Sequence, residues 1–540
     1  MIVLGINGGF RLGYQDVSAV LVQDGTVVAA VEEERLSRIK HAPGQLPFKA
    51  INEVLRIAGL QYGDIQAVAT HGATWGTEWP QRVSDYLRFN FGSCPPLHVY
   101  HHHDCHAASA YYASGLAESM VLTIDSSGDG VSLQLAIGRA GQLHIEQRIE
   151  RPDSLGIFYS LVTQFCGFTR DADEYKLMGL SSYGNRQAYD FSDIITYTNG
   201  SLKLNQSYIK AIAPGAPQST RYEQMFNAKL VDKFGAPRLP GAAITPVYRD
   251  IAASAQQHLE ELLVAIVTDF HKKTGLRNLC LAGGVALNCA ANQKLANLPF
   301  IDNIYIQPAS SDAGVSLGAA YLATADAGIN CQPMPDVYLG AEYQQQEILQ
   351  LLDVQQQRYV VSTDVASQAA QLLADGGILG WFSGRAEFGP RALGSRSILA
   401  CAQNQEVKQT VNRKVKFRES FRPFCPSVLE EDKARYFNGK PHLAPYMTIN
   451  FNANEVAKDE LPGIVHVDGT ARLQTVNRHT SLMYYSLLQQ VKELTGHGVL
   501  LNTSFNRSNE PMVYSPLDAV ATFHSTGLDA LVLGDILLLK

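Results

Sequence analysis

The chain is short of nearly every feature that would send it out of the cell, into a membrane or onto a nucleic acid. Its eight cysteines are scattered through 540 residues with no C-x-x-C pair. That spacing excludes a zinc ribbon and gives no disulfide framework, so reduced thiols in a cytoplasmic setting are expected. No apolar run approaches the roughly 20 residues that span a bilayer. The start, M-I-V-L-G-I-N-G-G, has neither the basic flank nor the cleavage site of a signal peptide, and no membrane is expected as a partner. Basic residues are outnumbered, 44 Lys and Arg against 51 Asp and Glu, for a net charge of −7. Sustained binding to a nucleic acid backbone needs a basic surface that such a balance does not supply. Only 18% of residues are charged and 46% are hydrophobic, the composition of a packed globular enzyme.

What the chain does have is histidine in one place. Four of its 15 histidines, His101, His102, His103 and His106, crowd the run V-Y-H-H-H-D-C-H-A-A-S-A. A helix starting inside this run sets His102 and His106 one turn apart on one face, the spacing at which two imidazoles can share a metal ion. A polar helix start with incidental histidines is the plainer alternative, and two imidazoles do not complete a site. Asp125 and Asp312 stand at other turns of the chain. For Asp312, which opens the small-residue run D-A-G-V-S-L-G-A-A, an N-cap carboxylate is the simpler role taken alone.

The first half carries a faint repeat. An apolar strand at 1–7 runs into a Gly-Gly turn, with strands at 17–22 and 26–31 joined by Asp24-Gly25. The plan recurs with strands at 120–125, 131–137 and 142–149. Strand, glycine-rich polar turn and hairpin, met twice, is similar to the duplicated ribonuclease-H-like fold of the actin and sugar-kinase superfamily. Residues 278–292 then read as a strand, a turn at Gly283-Gly284 and a helix, where backbone N–H groups can meet an anion. Residues 194–246 are less regularly patterned and read as an insertion. A polar, proline-bearing stretch within 328–346 is the boundary, giving domains at 1–340 and 345–540.

The second domain gathers cations in short segments bearing glycine and proline. Arg385, Arg391 and Arg396 lie in G-R-A-E-F-G-P-R-A-L-G-S-R-S-I-L-A. Lys416 and Arg418 are two apart, so an extended strand turns both to one face, and Ser504 and Asn506 share that spacing. Arginine forks and lysine ammonium groups suit phosphate, with hydroxyl and amide groups fixing its orientation. A solvated basic face is the alternative. It fits less well, because these cations alternate with aromatic and apolar residues.

Together these blocks resemble the O-carbamoyltransferase family of nodulation protein U and the tobramycin and cephamycin carbamoyltransferases. The resemblance covers nearly the whole chain: R-I-K-H (38–41), H-H-D-C-H-A-A-S (102–109), E-Y-K-L-M-G-L-S-S-Y-G (174–184), L-A-G-G-V-A-L-N (281–288), E-F-G-P-R-A-L-G-S-R-S-I-L-A (387–400), V-K-F-R-E-S-F-R-P-F-C-P-S-V (415–428), H-V-D-G-T-A-R-L-Q-T-V (466–476) and L-L-N-T-S-F-N (500–506). It implies an α/β protein whose actin-like transfer domain precedes a YrdC-like domain. The latter would make carbamoyl-adenylate from carbamoyl phosphate and ATP with its Mg; the former would pass the carbamoyl group to a hydroxyl of an acceptor. Carried over residue by residue, the metal ligands are His102, His106, Asp125 and Asp312, with Fe(II) or another divalent first-row ion. Arg391, Lys416, Arg418, Arg422, Arg472, Ser504 and Asn506 match the carbamoyl phosphate and ATP site. Gly283, Gly284 and Asn288 would steady the adenylate, and Gln15, Asp16, His41 and Lys176 are catalytic candidates.

One departure matters. The family carries a histidine before the aspartate of its first glycine-rich loop, and here Gln15 precedes Asp16. Glutamine takes no proton near neutral pH. His41, Asp16, a metal-lowered acceptor pKa, or an acidic acceptor are the alternatives. The acceptor class is open among natural products, sugars and modified nucleosides or bases, as is self-association of the chain. A tRNA threonylcarbamoyladenosine-type synthase and a non-catalytic, nucleotide-gated actin-like protein are the competing readings.

Overall fold

A computed structural model describes residues 1–10, 16–210, 223–441 and 444–540. The chain is a mixed α/β protein that divides into two compact units, Met1–Val27 with Pro43–Phe48 and Gln61–Met334, and Val28–Ala42 with Lys49–Leu60 and Pro335–Lys540. Among the described residues no helix is long and apolar enough to cross a membrane.

The apolar runs of the first half become strands buried along most of their length, as strands covered on both faces require. Strands β1 (Ile2–Asn7), β2 (Ser18–Gln23), β3 (Thr26–Glu32), β4 (Ala67–His71) and β5 (Leu97–Tyr100) form a sheet in the order β3-β2-β1-β4-β5. Asp24 and Gly25 turn β2 into β3 with both residues left-handed, φ 49° and 86°, the conformation a two-residue hairpin turn requires. Helix α1 (His102–Ser114) then leads into β6 (Glu118–Gly128), β7 (Val131–Arg139) and β8 (Gln142–Glu150). With β9 (Asn278–Ala282) and β10 (Asn303–Ile306) these form a second sheet in the order β8-β7-β6-β9-β10. In each sheet the first strand is antiparallel to the second and parallel to the fourth, so one strand plan is built twice. Within 194–246 the chain forms a hairpin, Ile195–Thr198 with Ser201–Leu204, and a helix, Ala228–Phe234. Phe165 lies edge-on to both Phe226 and Phe234, which anchors this region to the first unit.

Helix α2 (Ala313–Asp326) follows β10 and lies against α1. Small residues let the two helices come close, and a Cβ on Gly318 would stand 1.7 Å from the Cys105 carbonyl oxygen. The Ser18 hydroxyl donates to the Ala313 carbonyl at 2.8 Å and ties the start of α2 to β2. Side chains from α1, β6 and the head of α2 are thereby fixed relative to one another.

The second unit is built on an eight-stranded sheet. Its strands are β11 (Val360–Val361), β12 (Leu379–Phe382), β13 (Arg396–Cys401), β14 (Cys425–Leu429), β15 (Gln474–Val476), β16 (Val499–Ser504), β17 (Ala530–Leu533) and β18 (Ile536–Leu539), in the order β11-β18-β17-β12-β13-β16-β14-β15. Trp381, Leu399, Tyr484, Leu487, Leu500 and Val532 fill its core. The unit also takes in Val28–Ala42 and Lys49–Leu60, which the sequence reading grouped with the first domain. Charge and backbone bonding account for this. Buried Arg35 pairs with Glu32 and Glu34 at 2.5 Å each and donates to the Gly389 carbonyl at 2.9 Å. Arg38 donates to the Met512 and Pro511 carbonyls at 2.5 and 2.9 Å.

The helix contact yields a prediction. Gly318→Ala should cost about 1–3 kcal/mol, the usual range for overpacking a tight interior, and should loosen the placement of Asp312 against His106. Urea unfolding of the variant, run beside the neutral surface change Val354→Ala, checks it.

Candidate functional site

Helix α1 begins within the histidine run, with His101 as its N-cap. His102 and His106 therefore project from one face, and their Nε2 atoms meet two carboxylates. His102 Nε2 is 3.6 Å from Asp125 Oδ2 and 3.5 Å from Asp312 Oδ1; His106 Nε2 is 3.3 and 3.6 Å from the same atoms. The four ligand atoms lie within 4.8 Å of one another. Both Nε2 atoms are buried without a hydrogen-bond partner, although four polar groups converge. Two imidazole nitrogens and two carboxylate oxygens left this way fit a divalent first-row cation. The N-cap alternative for Asp312 fails, because its carboxylate caps nothing and faces the histidines.

The surroundings explain the placement. Gly128 lies under the His102 ring, where a Cβ would come within 1.9 Å of Cδ2. Asp129, left-handed at φ 51°, accepts from the His102 backbone N at 2.8 Å and from the Thr74 hydroxyl at 2.8 Å. His103 takes no part: its ring nitrogens lie 2.7 Å from Thr123 Oγ1 and 3.0 Å from the Val131 carbonyl. Burial pushes that ring well below the ordinary histidine pKa, with His102 and His106 adding to the shift. Burial also opposes charge on His106, yet the carboxylates of Asp125 and Asp312 facing it overturn that and hold the imidazole up at about 9. Against the same burial penalty, His102 and His106 hold Asp125 well below the usual carboxylate range. Burial wins at Asp312 and raises it.

The Gly-Gly turn stands beside this cluster. Gly283 is left-handed at φ 92° and passes so close to β6 that a Cβ would lie 2.2 Å from the Ile124 carbonyl; a Cβ on Gly284 would lie 3.3 Å from Asp125 Oδ1. Asn288 is bonded internally, accepting from Ala291 N and exchanging bonds with the Gln256 amide. Lys176 pairs with Asp173 at 3.1 Å. Asp16 is left-handed, φ 56°, and its carbonyl accepts from Asn7 Nδ2; Gln15 lies outside the described residues. His41 belongs to the second unit, left-handed at φ 64°, with its backbone N donating to Glu34 Oε2 at 2.6 Å.

In the second unit Lys416, Ser504 and Asn506 come together. Lys416 is buried; its Nζ donates to the Ser504 carbonyl, to Asn506 Oδ1 at 2.7 Å and to Ser504 Oγ at 3.2 Å. Ser504 Oγ donates to Asn506 Oδ1 at 2.8 Å. Burial, and then the cations of Arg418 and Arg422, push the Lys416 amine well below its ordinary pKa. The strand expected through Lys416 and Arg418 is absent. Residues Asn412–Lys416 wind into a wide helical turn that ends at left-handed Phe417, so Lys416 and Arg418 do not share the face of a strand. Arg418 lies over the Phe424 ring at 4.2 Å and donates to Asn412 Oδ1 at 3.0 Å. Arg422 pairs with Glu419 at 3.5 Å, and Arg472 Nε meets Cys425 Sγ at 3.1 Å. Two arginines of the 384–400 block are structural. Arg385 donates to the Val28, Leu339 and Gly340 carbonyls, and buried Arg396 to those of Ala341, Ser383, Gly384 and Ser395. Arg391 is half-buried on the turn whose Leu393, Ser395 and Arg396 backbone N–H groups all donate to Glu387 Oε1.

Sequence reasoning missed His71, Asp129 and Gly128, which sit against His102 from separate parts of the chain. A lone histidine at the end of a strand and an S-S-G-D-G turn give no signal of that contact. The histidines should separate on testing. Co(II) at about 100 times its dissociation constant should stabilise the wild type by about 2.7 kcal/mol, and His106→Ala should lose that response. His103→Ala should keep the response while losing about 1–3 kcal/mol of metal-free stability, because Thr123 and Val131 lose a buried partner. Unfolding curves with and without the ion read both.

The family model of the carbamoyltransferase N-terminus matches residues 74–321, and that of the carbamoyltransferase C-terminus matches residues 370–540. An uncharacterised protein of Synechocystis is 36% identical over 98% of this chain and 96% of its own length. Nodulation protein NolNO of Sinorhizobium fredii is 36% identical over 100% of this chain and 83% of its own. Nodulation protein NolO of Bradyrhizobium diazoefficiens is 39% identical over 81% and 78%. The first matched region contains all four members of the imidazole-carboxylate cluster, and the second contains Lys416, Ser504 and Asn506. The chain therefore belongs to the carbamoyltransferase family and is an enzyme of carbamoyl transfer.

Proposed function

We propose that the protein is an ATP-dependent O-carbamoyltransferase that works in two stages. Supporting this is one observation above the others: each compact unit holds its own buried polar cluster, and the two are opposite in electrical character. The Lys416 cluster of the second unit suits phosphate. The His102, His106, Asp125 and Asp312 cluster of the first suits a cation. The first unit is read as the duplicated ribonuclease-H-like fold of the actin and sugar-kinase superfamily, a reading favoured by its twice-built strand plan. The second is read as a YrdC-like domain.

In the first stage water releases carbamate from carbamoyl phosphate as inorganic phosphate departs. A carbamate oxygen then bonds to the α-phosphorus of ATP, and the bond from that phosphorus to the bridging oxygen breaks, giving carbamoyl-adenylate and pyrophosphate. Lys416, Arg418, Arg422, Arg472 and Arg391 neutralise the phosphates, while Ser504 and Asn506 orient them. Bound Mg accompanies ATP. In the second stage an acceptor hydroxyl attacks the carbamoyl carbon and AMP leaves. Asp125, Asp312, His102 and His106 would hold Fe(II) or another first-row ion, which when bound supplies a Lewis acid for that transfer. Gly283 and Gly284 give the backbone room at Asp125, and Asn288 fixes the helix start behind them. His41 is the proposed general base, with Asp16 the alternative, and Lys176 is retained as a catalytic candidate. The acceptor is a hydroxyl-bearing natural product, sugar or modified nucleoside or base.

A threonylcarbamoyl synthase acting on tRNA is less favoured, because a net charge of −7 opposes a nucleic acid substrate. A non-catalytic nucleotide sensor has no need of a second, phosphate-binding unit.

Stage-specific assays test the proposal. With ATP and carbamoyl phosphate the wild type should release pyrophosphate, and Lys416→Ala should lose at least about 100-fold of that rate, the loss expected when a preorganised charge contact is removed. His106→Ala should retain pyrophosphate release and lose carbamoyl addition to an acceptor, read by mass spectrometry. No pyrophosphate from the wild type would overturn the adenylate pathway. His41→Ala with full transfer and normal pyrophosphate release would remove His41 as the base.

Carbamoyl phosphate binding should also take up protons. The free Lys416 amine sits well below its ordinary pKa, and a phosphate dianion raises it. Between the free and bound values the complex thus holds more protons than its components. Calorimetry in two buffers of different ionisation enthalpy should report uptake in the wild type and less of it in Lys416→Met.

A further inference from the structure

His71 closes β4 and is buried beside the imidazole-carboxylate cluster. Its carbonyl accepts from Trp79 Nε1 at 2.8 Å, and the Trp75 ring meets its imidazole edge-on at 4.7 Å between centroids. These contacts fix a ring whose Nδ1 lies 3.4 Å from Nδ1 of His102. The other nitrogen of His102 faces Asp125 and Asp312. An imidazole that binds a cation through Nε2 keeps its remaining proton on Nδ1, and that N–H needs an acceptor.

We infer that His71 is the positioning residue of the cluster: as the tautomer protonated on Nε2, it accepts from His102 Nδ1–H and so fixes the tautomer and ring plane in which His102 offers Nε2 to a divalent cation. The inference rests on the metal reading of the cluster proposed above.

Three observations favour this over a merely buried histidine. His103, which does have a packing role, has partners on both ring nitrogens, whereas the Nε2 of His71 is buried with no hydrogen-bond partner. The contact at Nδ1 is thus the polar contact that the His71 ring makes. Next, His102 is restrained on every other side. Its backbone N is held by Asp129, Gly128 leaves room for the ring, and the two carboxylates stand before Nε2. What those contacts leave undecided is which nitrogen holds the proton, and His71 decides it. Lastly, the cluster already contains two carboxylates, which match a divalent ion charge for charge. A neutral imidazole orients His102 without the third negative charge that the more usual outer-sphere carboxylate would add.

The test reads metal affinity by the visible absorption of Co(II), titrated against a competing chelator at a single pH. His71→Leu should weaken Co(II) binding by about 10- to 100-fold, the usual effect of removing an outer-sphere partner of a metal-bound histidine. His71→Asn sets an amide oxygen close to the former Nδ1 and should recover most of that loss. Equal Co(II) affinity in wild type and His71→Leu would overturn the inference, as would loss in both variants with no recovery by asparagine. Should His71→Leu fail to fold, ¹⁵N spectra of the histidine-labelled wild type loaded with Zn(II) give the same decision. His71 protonated on Nε2 and His102 on Nδ1 supports it, and His71 protonated on Nδ1 overturns it. A wild type that takes up no more Co(II) than His106→Ala would overturn the metal reading and this inference together. Normal uptake by the wild type with unchanged uptake by His71→Leu removes the inference alone.

Discussion

Two carboxylates held close together in a largely dry place repel each other, and much of the first unit is arranged to keep them there. At an effective dielectric constant of 20, unit charges 4 Å apart interact with about 4 kcal/mol, so a fold gains nothing by this arrangement unless positive charge is present. The proton on His106, held up at about 9, supplies part of it. Around that balance the fold makes a series of local concessions. Gly318 lets two helices touch, Gly128 makes room for an imidazole, Asp129 adopts a left-handed backbone, and helix α2 starts without a side-chain cap. Each is unfavourable or neutral locally, and all converge on one spot. Departures from local preference that gather in this way mark function more often than packing.

The second unit follows the same logic with the sign reversed. Burying Lys416 near Arg418 and Arg422 is costly, as the downward push on its amine records. Arg385 and Arg396 instead donate to backbone carbonyls and work as cross-links of the loop they occupy, although burial pushes the Arg396 guanidinium down to about 10 as well. Two cations of one short block thus tie backbone together, while the buried amine that the proposal assigns to phosphate lies in another segment. That structural use cannot be seen in composition, since an arginine among glycines reads equally well as a phosphate contact.

Periodicity and turn chemistry explain what was legible beforehand. The hairpin at Asp24-Gly25, the strand before Gly283 and the helix that opens among the histidines follow from local residue pattern, and the structure forms all three. The His102 and His106 pair could be listed for the same reason, because the H-x-x-x-H spacing is local, whereas Asp125 and Asp312 joined it through the family resemblance. Where the decisive contact is distant in sequence, the reading failed. Lys416 and Arg418 have strand spacing, yet the chain winds at 412–416 because Lys416 finds its partners at Ser504 and Asn506. Arg35 carries its segment into the second unit through a bond to Gly389, more than 300 residues on. His71 gave no signal at all, since its meaning lies in a ring nitrogen facing another ring across 31 residues.

Charge at the scale of a pocket, rather than of the chain, selects the ligands. A net charge of −7 holds for the chain as a whole and disfavours polyanions on average. Inside, low dielectric confines each cluster's field to its own neighbourhood, so a cationic pocket and an anionic one coexist in the same acidic molecule. The two-stage route proposed above has need of both. Activation gathers phosphates, whose negative charge must be met by fixed cations, while transfer develops charge on a small carbonyl that is better met by a compact cation held between carboxylates. Because the two demands are opposite in sign, one pocket cannot serve both without each spoiling the other. On the proposed two-stage reading, separate units relieve that conflict.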